Sequence, residues 1–138
     1  MAPTDPNPRR TLAQRAGDAA ETQVVDHLVA RGWVVLGRQV HAGRSELDLV
    51  AVDPGPERAL VVVEVRWRRG RDFGLPEETL DHRKLRRLRL GLGRLLGAGR
   101  LPDGTALPEL PVRLDLVVVE PPAWQGGPPR LRHHRAVG

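Results

Sequence analysis

Two neighbouring stretches decide the fold of this chain: SELDLVAV at residues 45–52 and LVVVEVRW at residues 60–67. Both are rich in β-branched and apolar residues, which is typical of strands. Between them, Pro54-Gly55-Pro56 predicts a turn. A short connection of this kind pairs consecutive strands antiparallel, so the two stretches are expected to form a β-hairpin.

The first of these strands alternates between apolar and acidic residues. Because alternate residues of a strand share a face, we expect Leu47, Leu49 and Ala51 on one side of the sheet. Glu46 and Asp48 are then expected on the other side. A carboxylate against an apolar sheet costs free energy unless it is paired, metal-bound or solvated, so this acidic face is where chemistry is expected.

The second strand adds a carboxylate and a cation to the same patch. Glu64 and Arg66 share one face, and in the hairpin Glu64 is expected next to Asp48. Mg²⁺ prefers carboxylate and carbonyl oxygens, and it can polarise a phosphodiester while lowering the pKa of a bound water. A nearby cationic side chain stabilises charge that develops on the phosphate. These residue types therefore suit metal-dependent phosphodiester cleavage.

The composition narrows the class of protein. The 138 residues, with a net charge of +5 and no cysteine, predict a single domain over residues 11–138 after a proline-rich, disordered tail at residues 1–10. No run reaches the length of a membrane span, so we expect a cytoplasmic protein without membrane association. The basic charge favours a polyanionic partner. Lys84 is the single lysine among 22 basic residues, so the individual arginines carry little weight.

Further helices and strands flank the hairpin. In order, the expected elements are a helix from about Thr11 to Arg31, a strand at Trp33–Val40, the hairpin, a helix from about Glu77 to Leu96, a strand at Val112–Glu120 and an edge strand at Arg130–Ala136. A leucine stripe predicts the buried face of the second helix; its members are Leu85, Leu88, Leu92 and Leu95. In the first helix, Glu21 lies at the edge of the apolar stripe, where a solvated carboxylate is the ordinary interpretation.

Taken in order, short motifs along almost the whole chain resemble the YraN family, a bacterial family. The motifs are Gly17…Glu21…Leu28…Gly32, Ser45-Glu46-Leu47-Asp48-Leu49, Val63-Glu64-Val65-Arg66, Phe73-Gly74, Lys84…Arg87-Leu88 and Arg113-Leu114-Asp115. The resemblance implies an α/β restriction-endonuclease-like core, similar to Holliday-junction resolvases. Its elements would follow the order helix–three strands–helix–strand around a mixed central sheet.

The resemblance also implies roles for individual residues. Asp48 and Glu64 match the two metal-binding carboxylates of the PD-(D/E)xK nuclease signature, and Glu21 matches a first-helix glutamate that resolvase-like members add. These three would hold Mg²⁺ or Mn²⁺. Arg66 stands where the signature has lysine; it can clamp a phosphate but cannot act as a general base. Either Arg66 has drifted, leaving catalysis impaired or led by the metal, or Lys84 reaches the site from the second helix.

Two functions from different classes follow. The first is a metal-dependent DNA endonuclease, with Glu21, Asp48, Glu64 and Arg66 as catalytic residues, that recognises duplex or branched structure rather than base sequence. Its backbone contacts would come from a basic loop and a helix face: Arg68, Arg69, Arg71, Arg83, Lys84, Arg86 and Arg87. By analogy with resolvases, such an enzyme works as a homodimer across a two-fold junction. The second is a non-catalytic nucleic-acid-binding or assembly module that retains a degenerate nuclease fold. A third reading makes the carboxylates simple ion-pair partners of arginines.

Overall fold

The computed structural model of this chain describes residues 11–68 and 81–137. Two expectations lie outside these residues: the tail at residues 1–10 and the loop arginines Arg69 and Arg71.

The described residues form two helices and one five-stranded sheet. In chain order the elements are α1 (Leu12–Ala30), β1 (Val34–Ala42), β2 (Ser45–Asp53), β3 (Ala59–Trp67), α2 (His82–Ala98), β4 (Val112–Glu120) and β5 (Arg130–His134). The strands lie in the order β1-β2-β3-β4-β5. Only β3 and β4 are parallel, and the other three pairs are antiparallel. The predicted α/β class, mixed sheet and element order are therefore confirmed. Neither described helix has both the length and the apolar character that crossing a membrane requires.

Helix α1 begins and ends where its capping residues predict. The Thr11 side chain accepts a hydrogen bond from the Gln14 backbone N–H at 3.1 Å, and the Gln14 side chain accepts one from the Thr11 N–H at 2.8 Å. This reciprocal capping box fixes the first turn. After the helix, Gly32 has a φ of +86°, a left-handed conformation that glycine adopts at low cost. The predicted limits of α1 are confirmed to within one residue.

Helix α2 begins at His82, so the predicted start near Glu77 is wrong. Asp81 is extended, with φ −78° and ψ 176°, and its side chain accepts a hydrogen bond from the Lys84 N–H at 3.0 Å. It is therefore the N-cap. The leucine stripe is confirmed, since Leu88 and Leu95 are buried against the sheet. Gly91 has a packing role: an added Cβ there would lie 2.9 Å from the Ser45 Cβ, so glycine lets α2 approach β2 closely.

The two helices cover opposite faces of the sheet, and the alternation of β2 breaks between them. Leu49 and Ala51 belong to the cluster under α1, whereas Leu47 packs with Val50 under α2. The prediction that Leu47 shares a face with Leu49 is wrong. The break falls at Asp48, just beyond the β2–β3 register of Leu49 to Asp53. On β1, Gln39 lies between the partners of Leu47 and Leu49, and its φ of +48° interrupts the regular strand there.

Candidate active site

Asp48 sits at the point where β2 separates from β3. The register between these strands ends with Leu49 opposite Val63. One residue further, the Asp48 Oδ2 accepts a hydrogen bond from the Val65 backbone N–H at 2.9 Å. The Asp48 side chain thus accepts the hydrogen bond that the Val65 N–H would otherwise donate to the backbone of a neighbouring strand. This bond holds the Asp48 carboxylate between the strands and beside Glu64.

Glu64 lies on β3 with its carboxylate almost fully buried, and two cations approach the same oxygen. The Glu64 Oε1 is 3.2 Å from the Lys84 Nζ and 3.8 Å from the Arg66 Nε. The first separation is that of a close ion pair; the second is too long for a hydrogen bond. Within residues 11–68 and 81–137, no N–H or hydroxyl group donates to the other oxygen, Oε2, which is buried; the hydrogen bond between the Asp48 and Glu64 carboxyls requires a proton on one of them. A buried, unpartnered carboxylate oxygen is unfavourable, which marks this atom as a potential ligand.

The environment of Asp48 disfavours its negative charge. Burial is the largest cause, the charge of Glu64 is the second, and together they raise the pKa of Asp48 to about 7. The Val65 N–H and the Lys84 ammonium act in the opposite direction and do not offset them. Near neutral pH, the Asp48–Glu64 pair is therefore poised between holding a proton and holding two negative charges, which a cation would stabilise.

Glu21 reaches the same end of the sheet from α1 but is held by β1. It is 4% exposed, so the solvated interpretation is wrong. Its Oε1 accepts a hydrogen bond from the Arg38 Nε at 3.1 Å, and its Oε2 accepts one from the Gln39 side chain. Gln39 has a φ of +48°, an uncommon left-handed conformation for this residue. Burial raises the pKa of Glu21; the bonds from Arg38 and Gln39 oppose this, while the charge of Asp48 adds to it.

The donor atoms of Asp48 and Glu64 fit a hard divalent cation. Mg²⁺ and Mn²⁺ bind carboxylate oxygens, and Mg²⁺ commonly uses one or two protein carboxylates with water and substrate phosphate. The unpartnered Glu64 Oε2 and the raised pKa of Asp48 are both features that such a cation would relieve. In the described part of the chain, no three His, Asp or Glu side chains converge as a metal cluster. The structure thus pairs Asp48 with Glu64 and leaves Glu21 bound to Arg38 and Gln39.

The predicted DNA-contacting residues fall into different environments. Arg83, Arg86 and Arg87 are exposed on α2. Lys84, on the same helix, is only partly exposed because it turns toward Glu64. Arg68 is 9% exposed, so it offers little surface to a nucleic acid.

Sequence reasoning missed a second polar cluster, on the α1 face of the sheet. Asp115 is fully buried there and accepts hydrogen bonds from the Arg113 Nε at 2.8 Å and the Arg113 Nη2 at 2.9 Å. The His133 Nε2 lies 2.8 Å from the Asp115 Oδ2, and Arg113 also donates to Asp53 at 2.8 Å. The sequence did contain a signal for this cluster: Arg113 and Asp115 are two residues apart on one strand and therefore share a face of the sheet.

The balance of effects on Asp115 keeps it ionised. Burial alone would raise its pKa, but hydrogen bonds with His133, Arg113 and the Ala136 N–H hold that pKa at about 2. The same residues connect β4, β5 and the C-terminal segment. We therefore assign this cluster to stability and not to the candidate active site.

The fold and the site define an α/β protein with a mixed sheet, consistent with a nuclease-like core, and with paired carboxylates beside a lysine. Residues 20–119 match the family model described as Uncharacterised protein family UPF0102, which is the YraN family. The chain belongs to this family, so the resemblance drawn from the sequence motifs is confirmed.

Individual relatives agree with this assignment. Over 111 residues the chain is 39% identical to UPF0102 protein STH1475 of Symbiobacterium thermophilum, covering 80% of this chain and 86% of the relative. It is 40% identical over 111 residues to a UPF0102 protein of Roseiflexus castenholzii, with 80% and 81% covered. It is 30% identical over 116 residues to UPF0102 protein NMC2069 of Neisseria meningitidis, with 82% and 93% covered.

Proposed function

We propose that this chain is a metal-dependent endonuclease that hydrolyses phosphodiester bonds in duplex or branched DNA. The observation that carries the proposal is the buried Asp48–Glu64 pair with the Lys84 ammonium 3.2 Å from Glu64. The raised pKa of Asp48 supports a functional role, because buried carboxylate pairs with perturbed pKa values are concentrated at functional sites.

Asp48 and Glu64 are the residues that would hold Mg²⁺ or Mn²⁺. When bound, the cation supplies Lewis-acid polarisation of the phosphate and a bound water of lowered pKa. Lys84 neutralises Glu64 in the structure described here, and its ammonium is placed to donate to a phosphate oxygen that enters beside the pair. Such a preorganised donor stabilises charge that develops in the transition state.

Arg66 has a different role in this proposal. An arginine side chain binds phosphate through its N–H donors and has no acceptor for a proton, so it cannot act as a general base. At 3.8 Å from the Glu64 Oε1, it lies farther from that carboxylate than Lys84 does. We assign Arg66 to clamping the backbone of the substrate.

The substrate would be recognised by shape. The exposed arginines Arg83, Arg86 and Arg87 lie on the helix that carries Lys84, next to the candidate active site. Contacts from such side chains to phosphates position a nucleic acid but carry no base information. This supports binding to duplex or branched structure independent of sequence. A homodimer and a cytoplasmic location stay predictions.

A second candidate is the non-catalytic nucleic-acid-binding module. The observation that favours it is that Glu64 already has two cations near one oxygen, which neutralise its charge without a metal. On this alternative, Lys84 and Arg66 are structural partners of Glu64.

Cleavage of a substrate panel separates the two. The protein is incubated with junction, flap, nicked and duplex DNA, with Mg²⁺, with Mn²⁺ and with chelator, alongside Asp48→Asn and Glu64→Gln. The endonuclease proposal expects metal-dependent cleavage by the wild type, and loss of cleavage with retained DNA binding in both variants. Binding without cleavage of any substrate favours the module. Absence of DNA binding contradicts both.

A further inference from the structure

A cleft of about 340 Å³ lies at the end of α2 far from Lys84. It is an open cleft lined by that helix end, the turn between β1 and β2, and the segment that follows α2. The residues that give it its character are His41, Gly43, Arg94, Leu95, Arg100 and Leu101. Leu95 and Leu101 are buried and form the apolar floor of the cleft. Arg94 and Arg100 line the cleft beside this floor.

Arg94 is seated against the backbone of the β1–β2 turn. A Cβ added to Gly43 would lie 1.7 Å from the Arg94 Nη1 and 2.6 Å from its Cζ, so a side chain there would displace the guanidinium. Gly43 also has a φ of +64°, in the left-handed region that favours glycine. The turn thus provides a glycine surface on which Arg94 rests.

Arg100 is positioned by a compact turn after the helix. Gly99, with a φ of +69°, ends α2, and Arg100 pairs with Ala106 in an isolated β-bridge. The Leu101 N–H donates to the Thr105 carbonyl at 2.8 Å, while the Leu101 side chain is 2% exposed. These contacts hold the backbone of Arg100 at the wall of the cleft.

Within residues 11–68 and 81–137, neither Arg94 nor Arg100 forms an ion pair with a carboxylate. The His41 Nδ1 lies 4.0 Å from the Glu46 Oε2, and both side chains are exposed. Two unpaired guanidinium groups over a small cleft are suited to a tetrahedral oxyanion, because arginine binds phosphate through paired N–H donors.

We propose that this cleft binds a phosphate group and that, in the endonuclease proposed above, it holds a backbone phosphate of the DNA. The assignment to DNA rests on that proposed function. Lys84 and Arg94 are ten residues apart on α2, which is about 15 Å of helix axis at about 1.5 Å per residue. Phosphates of one strand advance about 3.4 Å per nucleotide along a duplex. We propose that the duplex axis follows α2, and in that arrangement the cleft would meet a phosphate about four nucleotides from the bond at the Asp48–Glu64 pair.

The test compares Arg94→Gln and Arg100→Gln with a matched control, Arg58→Gln. Arg58 is an exposed arginine of the β2–β3 turn, at the opposite end of β2 from Gly43. Duplex binding is measured over a range of salt concentrations without divalent cation. Each cleft variant is expected to weaken binding and reduce the slope of log affinity against log salt by about 1, while the control keeps the wild-type slope. An equal loss in all three variants would mean general surface charge and overturn the proposal.

A second pair of variants replaces glycines and leaves every arginine in place. Only one of the two is expected to move the Arg94 guanidinium. Gly43→Ala displaces the Arg94 guanidinium, whereas Gly126→Ala, in the connection between β4 and β5, introduces similar backbone strain at a φ of +78° where an added Cβ meets nothing within 4 Å. Gly43→Ala is expected to reproduce the loss seen in Arg94→Gln, and Gly126→Ala to bind as the wild type does. Wild-type binding by a folded Gly43→Ala would count against a shaped site.

Inorganic phosphate distinguishes a failure of the cleft from a failure of the endonuclease proposal. Titration of the wild type is expected to move the amide NMR signals of Ala42 and Gly43, and Arg94→Gln is expected to abolish the movement. If this holds and no DNA binds, the phosphate site stands and the nuclease proposal fails. If DNA is bound and cut but the cleft variants match Arg58→Gln, the nuclease proposal stands and the cleft proposal fails.

Discussion

The ammonium of Lys84 lies 3.2 Å from the Glu64 Oε1, nearer than the Arg66 guanidinium at 3.8 Å. The two residues come from different elements, β3 and the first turn of α2, and meet because Asp81 caps the helix immediately before that turn. A lysine is therefore present beside Glu64, although the position two residues after Glu64 on β3 holds arginine. In the proposed endonuclease, this geometry favours Lys84 over Arg66 for the role of the signature lysine.

Replacing Lys84 should reduce the cleavage rate far more than replacing Arg66 by the lysine of the nuclease signature changes it. Lys84→Ala is expected to reduce the single-turnover cleavage rate by about 10²–10³, the usual effect of removing one preorganised donor. Arg66→Lys is expected to change that rate little. The neighbouring exposed arginine supplies the control, since Arg83→Ala should affect binding alone. If Arg66→Lys greatly raises the cleavage rate and Lys84→Ala leaves it unchanged, position 66 on β3 has the lysine role and Lys84 does not.

Asp48 should make the protein less stable as the pH rises toward and past neutrality. Its folded-state pKa of about 7 lies above its ordinary value of 3.8, so the folded state binds more protons than the unfolded state between these values. Stability therefore falls as the pH rises through this window. Asp48→Asn keeps a side-chain acceptor for the Val65 N–H but cannot ionise, and it should melt at a higher temperature than the wild type at pH 8.

Melting temperatures measured from pH 4 to pH 8 without divalent cation check this expectation. Asp26→Asn is a suitable control, because Asp26 is exposed on α1. The Asp48→Asn curve should be flatter than that of either the wild type or the control. If the melting temperatures of the wild type, Asp48→Asn and Asp26→Asn change with pH in parallel, Asp48 does not carry the raised pKa.

Cation binding should be visible without any cleavage. A ligand that binds only the folded state raises the melting temperature by mass action, and the ionised Asp48–Glu64 pair is the expected binding site. Millimolar Mn²⁺ or Mg²⁺ at pH 8 should stabilise the wild type but neither Asp48→Asn nor Glu64→Gln. Glu46→Gln, which removes a half-exposed carboxylate of the same strand, should keep the effect. An equal shift in all four proteins would indicate binding elsewhere.

Much of the candidate site could be predicted because it depends on local pattern. The turn and the antiparallel pairing of β2 with β3 were enough to place Asp48 next to Glu64, although the alternation of β2 breaks at this residue. The burial of Glu21 could not be predicted in this way, since it depends on Arg38 and Gln39 from a strand formed later in the chain. No local rule indicated the left-handed conformation of Gln39 that turns its side chain to Glu21.

Contacts between distant residues were the least predictable. Gly43 and Arg94 belong to a turn and a helix that meet only in the folded protein, so neither residue stood out in the sequence. The start of α2 was a different kind of error. Asp81 is a favourable N-cap residue, and its side chain bonds the N–H three residues later, but the acidic residues upstream suggested an earlier start.

The buried carboxylate of Asp115 should contribute strongly to stability. Its removal in Asp115→Ala leaves the Arg113 Nε and the Ala136 N–H without their acceptor, while the Arg113 Nη2 keeps its bond to Asp53. Breaking a buried ion pair on one side typically costs about 3–5 kcal/mol, and we expect a loss of this size in the free energy of unfolding measured with urea. Because the folded-state pKa of Asp115, about 2, lies below its ordinary value of 3.8, its contribution is full above that value and is lost as the pH falls toward 2.

The matched variant for this prediction is Asp115→Asn, which keeps a side-chain acceptor for the Arg113 Nε and the Ala136 N–H and should retain part of the stability that Asp115→Ala loses. The Asp115 cluster lies under α1, whereas Leu47 and Val50, near the Asp48–Glu64 pair, pack under α2. Any folded variant of Asp115 should therefore keep the wild-type salt dependence of DNA binding. A loss below about 1 kcal/mol in Asp115→Ala would show that solvent replaces these bonds, and a changed salt slope would connect the cluster to nucleic-acid binding.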